Sequence, residues 1–145
     1  MKKVLPSVNK LNYFKDLIME KNVNTINWFE IPVTDFSRAK KFYETILDIS
    51  IHEQKMGPIV MGFFPYEQGS GKLSGAIVSG EGYTPSKEGV SVYLNCNPDL
   101  ASALSEIEKA GGKVLVPKTE IGTGFGFRAY FIDTEGNKIA LHSQN

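Results

Sequence analysis

Hydrophobic residues follow a helical period in the first twenty-odd positions of the chain. Four of them recur at the three- and four-residue spacing of a single helix face, with polar residues between them: Leu11, Phe14, Leu17 and Ile18. This spacing predicts an amphipathic helix over residues 10–21. Such a helix would pack on its own domain or, alternatively, contact another subunit.

From Thr25 onward a strand followed by a helix is predicted twice. Residues 26–33 form an apolar, β-rich run, after which Thr34 or Asp35 can cap a helix. Residues 90–96 form a second such run, followed by Asn97 as the predicted N-cap. The predicted apolar faces are Phe36, Ala39, Phe42, Tyr43, Ile46 and Leu47 in the first helix and Leu100, Ala103, Leu104 and Ile107 in the second.

Three short strands are predicted after each helix, so both halves have the pattern βαβββ. Superposing the two helices pairs Asp35 with Asp99, an offset of 64 residues. Glycine, proline and polar turn residues separate the strand candidates. These candidates are residues 49–53, 59–64 and 74–79 in the first half and residues 113–116, 128–132 and 138–142 in the second.

The repeat predicts an α+β fold with a single domain over residues 25–145. Module one covers residues 25–80, module two covers residues 89–145, and a polar, turn-rich linker over residues 81–88 joins them. Residues 1–24 form an N-terminal extension that carries the predicted helix.

Composition narrows the classes of function. The 145 residues include 16 Lys and Arg against 16 Asp and Glu, so no net charge attracts nucleic acid or anionic lipid. The single cysteine, Cys96, excludes an intrachain disulfide, and no apolar run approaches the ~20 residues of a membrane span. Pro6 and its polar neighbours interrupt the apolar run that a signal peptide requires. We therefore expect a cytoplasmic protein whose partners include neither nucleic acid nor a membrane.

Short motifs at both ends of the repeat carry a family resemblance. Residues 30–35 read Glu-Ile-Pro-Val-Thr-Asp, Phe42 and Tyr43 lie on the first helix, and residues 133–139 read Asp-Thr-Glu-Gly-Asn-Lys-Ile. With the tandem βαβββ modules, these motifs resemble the vicinal oxygen chelate superfamily, which includes glyoxalase I, bleomycin-resistance proteins and extradiol dioxygenases. The resemblance covers residues 26–143. It implies strands that form a curved mixed sheet around a cavity, closed within one chain or between two, and exposed β edges favour a homodimer.

The same resemblance implies four metal-ligand positions on the first and last strands of the modules. Metal-binding members place His, Gln or Glu there, because imidazole nitrogen and carboxylate or amide oxygen suit the divalent transition metals. In this sequence the four positions are occupied by Trp28, Ala76, Val92 and Ala140. None of these side chains binds a metal, so the expectation is a member without a metal cofactor.

Two polar residues are predicted to face the cavity because side chains two apart on a strand share a face. Glu30 follows Trp28 in this way, and His142 follows Ala140. Glu30 is the predicted catalytic residue, because desolvation beside aromatic rings would suit a carboxylate to general acid–base work. The alternative is a structural ion pair between Glu30 and Arg128. His142 is either a binding and proton-transfer residue or a half-exposed residue at a strand end.

A glycine-rich run, Gly-Thr-Gly-Phe-Gly-Phe-Arg, ends at Arg128 and precedes a predicted strand. A dinucleotide fingerprint requires a helix after its glycines, so this run is predicted to be a flap at the cavity mouth or a flexible connection. Arg128 is then available for an anionic ligand group such as a carboxylate. Trp28, Tyr93 and Phe125 are predicted to line the ligand site. Cys96 is predicted to be a buried small hydrophobe and not a nucleophile.

Other ring side chains receive no ligand role from the sequence. Phe63 and Phe64 are predicted to pack in the core, since strands need aromatic residues for packing alone. His52 is predicted to lie on the surface, where it belongs to a polar alternation.

Three functions are compatible with these residues. The first is metal-independent binding of a small, partly apolar molecule, with or without catalysis by Glu30. The second is sequestration of a drug in the manner of bleomycin-resistance proteins, although the zero net charge disfavours a cationic glycopeptide as that drug. The third is a metal-dependent glyoxalase-like lyase, isomerase or dioxygenase with rearranged ligands. The expected partners are a small-molecule ligand and a second copy of the chain.

Overall fold

A computed structural model describes residues 24–145, and the helix predicted over residues 10–21 lies outside them. Eight strands and two helices alternate in the predicted order. In the first half they are β1 (Trp28–Pro32), α1 (Phe36–Leu47), β2 (His52–Met56), β3 (Ile59–Phe63) and β4 (Ser74–Ser79). In the second half they are β5 (Tyr93–Asn95), α2 (Ala101–Glu106), β6 (Lys113–Glu120), β7 (Phe127–Ile132) and β8 (Lys138–Ser143).

The strands divide into two four-stranded mixed sheets, one from each half of the chain. Sheet one has the order β1-β4-β3-β2 and sheet two has the order β5-β8-β7-β6. In each sheet the first strand pairs in parallel with the last, and the remaining pairs are antiparallel. This confirms the predicted α+β class and its tandem βαβββ pattern. No helix in this part of the chain has the length and apolar character of a membrane span.

One apolar core lies between the helices and the two sheets. Helix α1 begins where predicted, because the Asp35 side chain accepts a hydrogen bond from the Arg38 N–H at 3.0 Å. Its buried face comprises Ala39, Phe42, Tyr43 and Ile46. These side chains share a core with residues of both halves, among them Ile31, Ile77, Leu100, Ile107, Phe131 and Leu141.

Helix α2 begins later than the sequence predicts. Asn97 does not cap it, because its Oδ1 accepts the Gln144 N–H at 2.7 Å and ties this segment to the end of the chain. The Asp99 carboxylate accepts the Ala101 N–H at 2.8 Å, and the helix starts at Ala101. A long-range contact therefore overrides the local capping preference of Asn97.

The repeat is one residue out of register between β1 and β5. Ala76 lies opposite Glu30 in sheet one, whereas Ala140 lies opposite Tyr93 in sheet two. Tyr93, not Val92, is thus the residue that faces away from the core, and Val92 packs against the core. The predicted pairing of Trp28 with Val92 is wrong by one residue, because the connection from β5 to α2 is one residue longer than its counterpart.

A buried carboxylate joins the two halves at the start of α1. Glu135, in the β7–β8 turn, accepts hydrogen bonds from the backbone N–H groups of Thr34 and Asp35 at 3.0 and 2.6 Å. It also accepts the Arg38 Nε–H at 2.7 Å, and its side chain is fully covered. We call this arrangement the Glu135 clasp. It fixes the last hairpin of sheet two against the first helix of module one.

Candidate functional site

Each sheet has one face packed on the helices and one that points away from them, which we call its open face. The alternation of β1 places Ile31 in the core and Trp28 and Glu30 on the open face of sheet one. Apolar residues of β3 and β4 continue this face beyond β1. They are Ile59, Met61, Phe63, Ala76 and Val78.

Three rings meet on the open face of sheet one, and we call them the aromatic trio. The Trp28 ring centroid lies 5.8 Å from that of Phe63 and 6.1 Å from that of Tyr66. The centroids of Phe63 and Tyr66 lie 6.3 Å apart. Trp28 is 37% exposed and Tyr66 53% exposed, so the trio presents ring surface that no described residue covers. Trp28 lies on the face away from the helices, as the strand alternation predicts.

A cavity of about 420 Å³ lies beside the trio, within the size range of small-molecule pockets. Phe63 and Tyr66 belong both to the trio and to the cavity wall, and His52 and Gln54 add polar groups. His52 lies opposite Phe63 in the β2–β3 ladder, which explains why the imidazole reaches the same wall. His52 is exposed, as the sequence predicts, whereas Phe63, which the sequence predicts in the core, is half-buried on the cavity wall. The sequence analysis gives no role to Tyr66 or Gln54. The alternation along β2 and β3 could have indicated Phe63, His52 and Gln54, whereas Tyr66 lies outside both strands.

Glu30 is exposed among residues 24–145, which do not supply the burial beside aromatic rings that the sequence predicts. Its carboxylate lies next to Tyr83, and a hydrogen bond between them raises the pKa of the Tyr83 hydroxyl. Glu30 and Arg128 do not form the ion pair considered as the alternative, since the four ion pairs of residues 24–145 involve other side chains. The two residues lie on different sheets.

The open face of sheet two is built around two tyrosines. The hydroxyls of Tyr93 and Tyr130 are hydrogen-bonded to each other, and their ring centroids lie 5.9 Å apart. This hydrogen bond, together with burial, raises the pKa of Tyr130. The Arg128 guanidinium carbon lies 5.6 Å from the Tyr130 ring centroid, and the Lys138 Nζ lies 5.7 Å from it. Tyr93 is 45% exposed, so this face also offers ring surface.

His142 holds the glycine-rich segment that precedes β7. Its Nε2 lies 2.9 Å from the Phe125 carbonyl oxygen, a geometry in which a protonated Nε2 donates. The Ile121 N–H donates to the Gly126 carbonyl at 2.9 Å and closes the loop. The Phe125 side chain is 69% exposed at its tip. The loop is thus anchored at both ends with an unpacked aromatic ring between them.

The predicted site residues therefore form two groups. Trp28 and Glu30 lie together on sheet one, whereas Tyr93, Arg128 and His142 lie on sheet two. Phe125 lies next to sheet two, because its carbonyl oxygen is hydrogen-bonded to His142. Strand alternation fixes which face of its own sheet a residue occupies. It does not fix which other surface that face contacts, so it could not bring the predicted residues of the two sheets into one site.

The donor set at the family's metal positions does not fit a metal. By the strand register the corresponding open-face positions are Glu30, Ala76, Tyr93 and Ala140, with Trp28 two residues before Glu30; Glu30 is the single carboxylate among them, and both alanines are fully buried. Residues 24–145 also hold no group of three or more His, Cys, Asp or Glu side chains placed to bind a metal ion. Burial raises the pKa of the Cys96 thiol to about 11, so it is protonated at neutral pH and is a poor nucleophile.

Comparison with known proteins identifies the family. The model of the Glyoxalase/Bleomycin resistance protein/Dioxygenase superfamily matches residues 25–141. The chain belongs to this superfamily. A glyoxylase-like domain-containing protein from Didymella fabae is 30% identical over 118 residues, which cover 80% of this chain and 91% of that protein.

Solved structures of the superfamily share the fold at low sequence identity. A glyoxalase/bleomycin resistance protein from Streptomyces sp. CB03234 has a TM-score of 0.61 at 23% identity and covers 81% of this chain and 100% of its own. An antibiotic binding protein from the same organism has a TM-score of 0.58 at 20% identity, with 87% and 100% covered. Glyoxalase I from Zea mays has a TM-score of 0.56 at 20% identity, with 81% of this chain and 45% of that enzyme covered. The chain thus spans less than half the length of the maize enzyme.

Proposed function

We propose that this superfamily member binds a small aromatic molecule on the aromatic trio and does so without a metal ion. The observation that carries the proposal is the meeting of three partly exposed rings beside a cavity of about 420 Å³. Aromatic faces attract one another at such distances beyond the gain from apolar burial. His52 and Gln54 supply the few polar groups that orient a ligand in a mostly apolar pocket. The similar antibiotic binding protein from Streptomyces supports a role in binding.

We further propose that a homodimer completes the site. Both open faces expose large aromatic side chains, and clustered exposed apolar surface marks an interaction site on a globular protein. A second copy would cover Trp28 and Tyr66 on one chain and Tyr93 on the other by a two-fold symmetric contact. This cover would also bury Glu30, which keeps its place as the proposed acid–base group of the site. We place the protein in the cytoplasm, where a lone thiol such as Cys96 stays reduced.

Removing one ring of the trio tests the proposal. Calorimetric titration with 1-naphthamide, a neutral bicyclic compound, should give saturable binding to the native chain. Tyr66→Ala should weaken this binding about 2- to 10-fold, the worth of one aromatic contact. Leu115→Ala, which also truncates an exposed hydrophobic side chain but lies on β6, serves as the matched control and should bind like the native chain. Equal affinity in Tyr66→Ala and Leu115→Ala would contradict the proposed site.

A further inference from the structure

The open face of sheet two carries an arginine with one buried donor that the described residues leave unmatched. The Arg128 Nε is buried and has no hydrogen-bond partner in the described part of the chain. Its guanidinium also takes no part in the ion pairs of that part. A buried unsatisfied donor costs free energy, and in a native protein it calls for a specific explanation.

The neighbours of Arg128 do not supply an acceptor of opposite charge. His142 lies opposite it on β8 and Thr119 opposite it on β6. The Tyr130 ring packs against the guanidinium, and the His142 Nε2 is already engaged by the Phe125 carbonyl. The cross-strand and ring neighbours of Arg128 within residues 24–145 thus present hydroxyls, an imidazole and an aromatic ring, but no carboxylate.

The second cation of this face, Lys138, lines a cavity of about 210 Å³ together with Glu30 and Glu88. Neither Lys138 nor Arg128 takes part in an ion pair of residues 24–145. Arg128 differs from Lys138 in its buried Nε, which lacks a hydrogen-bond partner in those residues. A single planar guanidinium matches the geometry of a carboxylate, which it binds by two parallel N–H···O hydrogen bonds.

We infer that Arg128 is the anion subsite of the ligand site and that the natural ligand is an aromatic carboxylate. The inference rests on the proposed function, since it assumes that the proposed homodimer brings Arg128 on sheet two and the aromatic trio on sheet one to the same ligand, whose ring binds the trio. The Tyr93 and Tyr130 hydroxyls lie at the same face and provide further hydrogen-bond partners for the ligand oxygens.

Two matched probes test this inference by calorimetry, 1-naphthoate and the neutral 1-naphthamide. The native chain should bind naphthoate about 10- to 100-fold more tightly, as expected for hydrogen bonds to a charged group. Arg128→Gln should abolish this preference and leave naphthamide affinity unchanged. Lys109→Gln, which removes the same charge from an exposed site just after the end of α2, should keep the preference. Tighter binding of 1-naphthyl phosphate than of naphthoate would overturn the assignment of a carboxylate.

A second readout separates failure of the subsite from failure of the proposed function. In nuclear magnetic resonance spectra, titration with acetate should shift the Arg128 Nε–H signal, because acetate carries the carboxylate without a ring. If acetate shifts this signal while neither naphthalene compound binds, the subsite stands and the aromatic site fails. If both naphthalene compounds bind equally and acetate leaves the signal unmoved, the subsite is overturned and the aromatic site stands. Arg128→Gln should also melt no lower than the native chain, since it removes a buried unpaired donor; a large fall in Tm would show a structural role instead.

Discussion

Glu30 illustrates how a residue's face follows from the sequence while its surroundings do not. Strand alternation places it beside Trp28 on the open face, and this placement needs only the period of two that every strand has. Its exposure and its contact with Tyr83 depend on how the chain beyond β4 passes over sheet one. Tyr66 shows the same limit, because it follows β3 in a loop and meets Trp28 only through the path of that loop.

At this scale we predict that Glu30→Gln leaves the fold intact. The carboxylate is exposed and makes no ion pair with Arg128, so the change in unfolding free energy should stay within about 0.5 kcal/mol. Affinity for 1-naphthamide should also be unchanged. For any bound compound that the native protein converts, chromatography should show that the variant no longer converts it. A marked loss of thermal stability would instead indicate that Glu30 takes part in a structural ion pair.

The Glu135 clasp gives a prediction with a defined pH dependence. Desolvation raises the pKa of Glu135, but hydrogen bonds from Arg38, the Asp35 N–H and Thr134 outweigh it, and the pKa lies below its ordinary value. The clasp therefore stabilises the fold above the ordinary pKa of a glutamate, and this stability is lost as pH falls through the lowered pKa. Glu135→Gln should cost about 1.5–3 kcal/mol at neutral pH, the worth of hydrogen bonds to a charged group.

Denaturant unfolding measures this cost at about pH 7 and about pH 3, and the difference between variant and native chain should shrink at the lower value. Glu120→Gln, on the exposed end of β6, is the control and should show little change at either pH. A cost for Glu135→Gln that stays constant with pH would contradict the ionised clasp.

At the scale of elements, the helix-capping rules are correct where the hydrogen-bond partner of the cap lies nearby in the sequence. Asp35 caps α1 as expected because its partner, the Arg38 N–H, lies three residues away. Asn97 fails as a cap because Gln144, at the end of the chain, binds its side chain. The Glu135 turn was predictable as a hairpin, whereas its role as a second cap for α1 depends on docking of the two halves.

The loop between β6 and β7 offers a paired test of element geometry. Gly126 has φ +76°, and a Cβ there would collide with the Ser143 carbonyl oxygen. Gly124 has φ +86° and open space where a Cβ would lie, so an alanine there meets only backbone strain. Gly126→Ala should therefore lower Tm more than Gly124→Ala, and it should displace the Phe125 carbonyl from His142. Equal melting temperatures for the two variants would show that the loop is not held against β8.

The whole molecule combines two similar modules, and on the open face of each the described residues leave aromatic rings partly exposed. The fold class could be predicted because each module repeats βαβββ and each repeat carries its own periodic pattern. The arrangement of a complete binding site could not, because it depends on what faces Trp28 and Tyr93, and strand alternation says nothing about that partner.

We predict that the chain is a homodimer in solution, with a mass twice the 16.0 kDa of one chain by sedimentation equilibrium. Trp28→Glu should shift the equilibrium toward the monomer, because it places a charge in the apolar contact. Ser102→Glu, which adds the same charge at an exposed position of α2, on the helix side of the sheets, is the control and should leave the dimer intact. A native chain that sediments as a monomer at all concentrations would contradict the dimeric site.

The most direct measurement of the central claim is a ligand titration before and after removal of metal ions. Trp28 is the sole tryptophan, so a change in intrinsic fluorescence on adding 1-naphthamide reports on the aromatic trio alone. We predict saturable quenching with the same Kd in protein dialysed against a chelator and in untreated protein, with no stoichiometric transition metal by elemental analysis. Loss of binding after chelation, restored by one equivalent of Zn²⁺, Ni²⁺, Mn²⁺ or Fe²⁺ per chain, would contradict the claim.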